Sequence, residues 1–497
     1  MPTTRSLLFA LAAIVAAPSA AEALTLDGDF DHGSLGSWSG TPAAINLTPR
    51  TNFSSNGSWR WMYFEATGLL GATTQFTTTS NFALGAGRLD RHRMRYSYDN
   101  ENWLLFDNNA RVGSTYRFSN NTPFASDTVY VAYDLPYSYG RSAAHTAAVL
   151  ATPWAEPSFS ADAAGVIGQT PGGTDDIGRA IGPRDLFGYR ITNPATDAAL
   201  GANKRRVTIT SGMHAGETIG TWTFQGMVDW LVSDDPRAAR LRDVAEFAVY
   251  PVLNPDGRFA GYGRNTVFTP LDDPNGAWTP SVWINRPDIQ VSGEAMIADF
   301  QAAPQSTNEA FIDFHSTVPT GGDDFSFIEI EQGDHLVDWY LNLRALQPNL
   351  EQIESTSVTP TSANFGEAFL NAEVDITFEN QHGLNRPKEY YLELGENFAF
   401  GMYEAWVEPT LLDGDYNFDG VVDAADYTVW RDTFLTLGDL KAPADGNRDT
   451  FVGNSDYSLW AANFGAAELG GSASATPEPA AAVLLMAGLI LRGRRVK

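Results

Sequence analysis

Seven histidines in a chain of 497 residues leave few places where imidazole chemistry can gather. His214 and Glu217 stand three apart, between a β-branched run, Arg206-Val207-Thr208-Ile209-Thr210, and the stretch Thr218 to Val232. That stretch carries Ile219, Trp222, Met227, Trp230 and Leu231 at near-helical spacing, so the spacing predicts strand, turn and helix in that order. His315 directly follows a second strand-like run, Ala310 to Phe314. Side chains at the carboxyl ends of neighbouring strands meet along one edge of a sheet. Two imidazoles and one carboxylate around an open position form a catalytic zinc set, with water in the fourth place. The chain has no cysteine, which excludes disulfides, thiolate ligands and a cysteine nucleophile. Taken alone, His-x-x-Glu is a weak signal, and the plainer reading is a surface histidine beside a helix-start glutamate, an arrangement the helix dipole favours.

The elements that must position these groups change character along the chain. Residues 24–154 are rich in Thr, Ser, Asn, Gly and aromatics, with short alternating runs such as Arg60 to Phe64 and Thr128 to Tyr133. They predict an all-β, sandwich-like domain. From 155 to 408 apolar runs alternate with helical patterns; Phe247 to Leu253 and Val374 to Phe378 are further strands. That alternation predicts an α/β domain with a mixed sheet. Residues 413–466 hold an internal repeat, 467–476 a Gly/Ser/Ala linker.

Several further residues fall in order around the three candidate ligands: Met213-His214-Ala215-Gly216-Glu217, Asn254-Pro255-Asp256-Gly257, Arg264, Asn285-Arg286, Asp313-Phe314-His315-Ser316 and Thr377-Phe378-Glu379. In this the chain resembles the M14 family of zinc carboxypeptidases. Phe30-Asp31-His32-Gly33, Trp61-Met62-Tyr63-Phe64 and Val131 to Tyr139 resemble the β domain that precedes the catalytic domain in the cytosolic carboxypeptidase-like subfamily. The resemblance implies one catalytic zinc on His214, Glu217 and His315, with peptide or protein C-termini as substrate. It implies Glu379 as general base, Arg264 facing the developing oxyanion, and Asn285 with Arg286 gripping the terminal carboxylate. Glu393, in Leu392-Glu393-Leu394-Gly395, competes for the base; Glu379 is favoured because it follows an apolar strand. Arg264 competes with a plain surface arginine, and Asn254 to Gly257 reads as a structural turn. Two departures from the family pattern stand out. No tyrosine occurs between Leu341 and Glu389, and Pro287-Asp288 follows the Asn-Arg pair. A basic specificity pocket from Arg258, Arg386 or Lys388 is a further expectation.

The repeat spaces its acidic groups as calcium loops do. Asp415, Asn417, Asp419, Asp423 and Asp426 fill positions 1, 3, 5, 9 and 12 of a first loop, with Gly420 at the sharp turn. Asp445, Asn447, Asp449 and Asp456 fill positions 1, 3, 5 and 12 of a second. Asp-Tyr-x-x-Trp follows each loop, and the pair resembles a dockerin type I module, a small α module. That implies one or two structural calcium ions and a cohesin-like partner; a solvated acidic turn pair is the plainer alternative.

At the N-terminus, Arg5, an apolar run and Pro18 to Ala23 read as a signal peptide, residues 1–23. At the C-terminus, 477–497 carry Pro477-Glu478-Pro479, an apolar run and a basic end, resembling a PEP-CTERM sorting tail. These ends imply export in a bacterium, with transient membrane contact through the tail. A net charge of −28 argues against nucleic acid as a partner. Two other functions fit the same residues: an amidase-like M14 enzyme acting on cell-wall peptides, and an inactive M14-like binding module.

Overall fold

The computed structural model describes residues 23–51, 57–317, 324–329, 337–355 and 362–468. The signal segment up to residue 22, most of the linker and the whole 477–497 tail lie outside the described residues.

Residues 25–132 build two five-stranded sheets. In spatial order one runs Thr25–Asp27, Tyr63–Thr67, Val129–Ala132, Arg95–Ser97 and Trp103–Leu105. The other runs Ser37–Thr41, Ala44–Thr48, Gln75–Thr79, Thr115–Ser119 and Asn108–Val112. Burial alternates along Ala44–Thr48 and Thr115–Ser119, as the two-residue pleat requires. Ile45, Leu47, Tyr116 and Phe118 therefore enter the same core as Phe64, Ala66, Val129 and Val131 of the first sheet. The two sheets close over one aromatic-rich interior.

A second unit is organised by an eight-stranded mixed sheet. Its strands are β1 (Ala155–Pro157), β2 (Tyr189–Ile191), β3 (Arg205–Ser211), β4 (Ala245–Tyr250), β5 (Ala310–Thr317), β6 (Phe325–Glu329), β7 (Glu351–Ser355) and β8 (Asp375–Gln381). The spatial order is β1-β2-β4-β3-β5-β8-β6-β7. The central four, β4, β3, β5 and β8, are mutually parallel. Every residue of β4 is buried, and all of β3 except Arg205, because helices cover both faces. On one face α1 (Thr218–Leu231) lies beside α2 (Pro236–Val244) and α4 (Lys388–Trp406); on the other lies α3 (Pro287–Ala302). The cross-over of α1 and α4 is close because of two glycines. A Cβ on Gly226 would meet the Leu392 carbonyl, and one on Gly395 the Thr223 carbonyl.

The strands run further than the apolar runs suggest. Pairing of β5 with β8 continues through His315↔Glu379 to Thr317↔Gln381. His315 and Glu379 therefore sit inside strands, held in the ladder, not just beyond them. The reason is backbone pairing: each strand finds a parallel partner past the last large apolar residue.

Residues 413–466 form α5 (Ala424–Thr433) and α6 (Asn454–Asn463) with their preceding loops. Arg240 Nε donates to the Phe418 carbonyl at 3.0 Å, Arg237 Nη1 to the Lys441 carbonyl at 2.7 Å, and Lys441 Nζ reaches Glu396 at 2.7 Å. These bonds seat the repeat against α2 and α4.

Candidate metal centre

The strand β3 ends at Ser211, and the turn from Gly212 to Glu217 carries the chain into α1. Asn254, just after β4, fixes that turn: its Nδ2 donates to the carbonyls of Met213 (3.2 Å) and Asn265 (3.0 Å). Its Oδ1 caps the helix Pro255–Ala260 by accepting from Gly257 N. The Asn-Pro-Asp-Gly turn is thus a tie between the His214 segment and the Arg264 segment.

His214, Glu217 and His315 are all buried, with 2, 6 and 1% of their surfaces exposed. One ligand atom from each lies within 4.8 Å of the others, the one such group of three or more His, Asp or Glu side chains among the described residues. His214 Nδ1 is 2.8 Å from Glu217 Oε1; His315 Nδ1 is 2.9 Å from Glu217 Oε2 and 3.1 Å from His214 Nδ1. The outer nitrogens are already committed. His315 Nε2 faces Asp313 at 2.6 Å, and His214 Nε2 faces Asp273 at 3.0 Å. Each aspartate is placed to accept from Nε2, which leaves both Nδ1 atoms directed at the Glu217 carboxylate, the positions a metal would bind. Two imidazole nitrogens and a carboxylate converging in a buried site could hold a metal ion, and the donor set is borderline-soft nitrogen with oxygen, the zinc pattern.

The charges agree. Burial lowers the His315 pKa, but Asp313 and Glu217 outweigh it and hold the imidazole well above its ordinary value. Burial raises the Glu217 pKa, yet His214 and His315 bring it well below the carboxylate range. A proton on the cluster is thus what a metal ion would displace. Ser316 N also donates to Glu217 Oε2 at 3.1 Å, fixing the carboxylate.

Glu379 lies beside His315 by strand register and shares its face of the sheet. The side chain is half-buried as a whole, but Oε2 is sealed from solvent with no hydrogen-bond partner. Burial and the nearby Glu217 push its pKa up to about 8, against the pull of His315, Arg264 and Arg60. Glu393, the competitor for the base, is exposed on α4. Arg264 bends over the cluster: Nη1 is 3.2 Å from His214 Nδ1 and 3.4 Å from Glu217 Oε1, and Nε donates to Asp273 at 2.6 Å. Arg286 is buried at the start of α3, where Nε and Nη2 both donate to Asp288 at 3.1 Å. Asn285, beside it, is exposed.

The expected basic pocket does not form from the three residues named for it. Arg258 is fully buried and donates to the Tyr137 carbonyl (2.9 Å) and Thr221 Oγ1 (3.1 Å), so it is a strut between units. Arg386 pairs with Asp324, and Lys388 lies over the Trp222 ring. Groups absent from the sequence reading also adjoin the site: Asp273, and Arg60 and Tyr133 from the β sandwich. Asp273 has only its Asp type and loop position as a signal.

In the two acidic loops the side chains turn inward onto the backbone. Asp415 accepts from Asp419 N (3.1 Å) and Gly420 N (2.8 Å), Asp419 from Val421 N, and Asp426 from Tyr416 N and Asn417 N. Asn417 Nδ2 donates to Asp419, and Asp423 caps α5. Asp445, Asn447, Asp449 and Asp456 repeat the pattern, with Asp445 accepting from Thr450 N at 2.8 Å and Asp456 from Asn447 N at 3.2 Å.

The zinc carboxypeptidase family model (peptidase family M14) matches residues 173–276, the segment holding His214, Glu217 and Arg264. Cytosolic carboxypeptidase 2 of Danio rerio is 28% identical over 240 residues, 44% of this chain and 31% of that protein. Human cytosolic carboxypeptidase 6 is 33% identical over 143 residues, 29% of this chain and 27% of that protein. The chain thus spans about a third or less of these relatives' length. Among solved structures, a metallo-carboxypeptidase from Burkholderia cenocepacia aligns with TM-score 0.62 at 21% identity, covering 77% of this chain and 99% of that one. A metallo-carboxypeptidase from Pseudomonas aeruginosa aligns with TM-score 0.57 at 18% identity, covering 76% and 98%. These two share the fold. Residues 173–276, which carry two of the three metal-site residues, thus match the M14 zinc carboxypeptidase model, and cytosolic carboxypeptidases are among the proteins similar in sequence.

Proposed function

We propose that this protein is a zinc-dependent carboxypeptidase that removes C-terminal residues from peptides or proteins. The observation that carries the reading is the convergence of two Nδ1 atoms and the Glu217 carboxylate, with Glu379 on the adjacent strand in register with His315. His214, Glu217 and His315 would hold the zinc, which supplies polarisation of the scissile carbonyl and activation of water when bound. Glu379 takes the proton of the attacking water and gives it to the leaving amine. Its raised pKa suits a base working near neutrality, and a cation in the cluster draws that pKa down towards the working range. Arg264, already poised over the cluster, faces the carbonyl oxygen as it gains charge. Asn285 and Arg286 take the terminal carboxylate; Arg286 offers its Nη1 side, since Asp288 holds the other two donors. Internal peptide bonds present no such carboxylate, which restricts cleavage to the chain end.

The test is C-terminal residue release from a peptide library, with and without chelator, beside zinc stoichiometry and Glu379→Gln. Release that survives the chelator or the substitution sinks the mechanism, and a protein that binds no zinc is the inactive binding module. Amidase action on cell-wall peptides is distinguished by including such peptides in the library. Calcium in the two acidic loops, a cohesin-like partner for the repeat, and export through the signal segment and tail complete the reading; they are supported by the sequence spacing and end motifs alone.

A further inference from the structure

Arg264 reaches the metal cluster from a loop, and a loop by itself does not hold a side chain to within the about half an ångström that charge stabilisation needs. Its side chain is 30% exposed and that of its carboxylate partner, Asp273, 44%, so the pair alone is a loose anchor. The backbone just before it is held far more closely. Gly216 N, in the turn between His214 and Glu217, donates to the Gly263 carbonyl at 2.9 Å. On the other side the β sandwich presses on the loop. Gly261, at φ +73°, leaves no room for a Cβ against the Gly33 carbonyl, and a Cβ on Gly263 would collide with that of Arg60. His32 N donates to the Phe259 carbonyl at 3.0 Å. Residues 259–263 are thus clasped between the ligand turn and the sandwich.

One buried charge locks this clasp. Arg50 lies just past the sandwich strand Ala44–Thr48 and is 3% exposed. Its Nη1 donates to the Ala260 carbonyl at 2.7 Å, its Nε to Asp176 at 2.9 Å and its Nη2 to Asp175 at 3.2 Å. The guanidinium also lies 5.7 Å from the centre of the Tyr262 ring. Asp175 and Asp176 belong to the turn that joins the paired strands Gly173–Thr174 and Ala180–Ile181. Three donors within that turn close on Asp175: Ile177 N at 3.2 Å, Arg179 N at 2.8 Å and Arg179 Nε at 3.0 Å. Asp176 N donates in turn to the Tyr262 hydroxyl at 3.0 Å. A closed ring of contacts therefore runs from Arg50 through the hairpin to the 260–263 loop and back.

Burying a guanidinium carries a desolvation penalty that an apolar side chain of similar length would avoid. What the arginine adds is geometry. Its donors stand at fixed angles in one plane, so donors placed on three acceptors fix those acceptors relative to one another. Here the acceptors belong to the hairpin turn and to Ala260, four residues before Arg264. We propose that Arg50 is a positioning residue for Arg264, holding the 260–263 loop so that the Arg264 guanidinium meets the carbonyl oxygen as it gains charge. This rests on the carboxypeptidase reading above. The β sandwich thereby sets the place of a catalytic group that the other unit supplies.

The experiment uses the full chain loaded with zinc and a peptide selected from the library. Arg50→Lys keeps the positive charge, but a single ammonium does not reproduce the three-way fork. It lowers kcat about tenfold, as a shift of under about 1 Å in a catalytic group does, with KM within about twofold and zinc content unchanged. In the Arg264→Ala background the same substitution changes kcat by less than about twofold, because the group it places is already gone. General damage to the fold would instead lower kcat by one factor in both backgrounds. If Arg50→Lys fails to fold or to retain zinc, Asp176→Asn carries the same comparison, since it loosens Arg50 from the more exposed of its two carboxylates. Equal losses in both backgrounds, or no loss with Arg264 present, overturn the positioning role, as does an Arg264→Ala variant with undiminished kcat. A zinc-loaded wild type that releases no C-terminal residue from any peptide overturns the carboxypeptidase reading instead, and the positioning role with it.

Discussion

Replacing Glu379 by Gln should move activity and stability in opposite directions. The carboxyl group sits beside Glu217 with Oε2 sealed and unpartnered, and its pKa lies near 8 in the metal-free protein against 4.5 when unperturbed. A raised carboxyl pKa means that the unfolded chain gives up this proton at lower pH than the folded one. Between about pH 4.5 and 8 the folded state therefore binds more protons, and stability falls as pH rises. The slope from a single group is at most about 1.4 kcal/mol per pH unit. Glutamine removes that slope. Urea denaturation of the chelated wild type and of Glu379→Gln at pH 5, 6, 7 and 8 should show near-equal stability at the acid end. The variant should then gain a growing advantage, reaching about 2 kcal/mol or more by pH 8. Zinc should narrow the gap, since a cation favours the carboxylate. The same variant should lose at least about a hundredfold in kcat. Parallel stability curves across this pH range would refute the account of Glu379, as would retained turnover.

Three further outcomes follow from the geometry. Asp313→Asn leaves His315 Nε2 without its carboxylate at 2.6 Å, so zinc affinity measured by chelator competition should fall about 10–100-fold; unchanged affinity would mean that Asp313 does not set the ring. Gly395→Ala drives a methyl group into the Thr223 carbonyl and should destabilise by about 1–3 kcal/mol in thermal or urea unfolding, with a neutral result showing that α1 and α4 can separate. Calcium at a hundred times its dissociation constant should stabilise the repeat by about 2.7 kcal/mol at pH 7 and by less at pH 5. Burial and Asp426 with Asp419 raise Asp415 to about pH 6, so protons compete with the cation there, and a melting curve indifferent to calcium would sink the loop assignment.

What the sequence shows of the site and what it hides have different physical origins. β3, β4 and β5 read as strands because a parallel strand covered on both faces is rich in β-branched and apolar residues, as Val207 to Thr210 and Ala310 to Phe314 are. The polar ends of β5 and β8, Ser316, Thr317 and Asn380, give no such signal, because ladder pairing and not apolar character keeps them in the sheet. His214 and Glu217 stand out because rare types occur at short spacing. Asp273 and Tyr133 do not, since their roles exist only once distant segments meet. Arg60 is a special case: the Trp-Arg-Trp alternation is visible, but that its outward face meets Gly263 is a property of how two units dock. Arg258 shows the reverse error, a charged residue in an informative stretch that is buried as a strut.

The pairing of β5 with β8 sets the spacing of ligand and base by backbone hydrogen bonds alone. The loops that join Thr317 to β6 and β7 to Asp375 can therefore change in length without moving Glu379 relative to His315. One residue inserted within Asp375–Phe378 would have the opposite effect. It would invert the pleat and send the carboxylate to the far face of the sheet, silencing the protein while leaving every hydrophobic run in place.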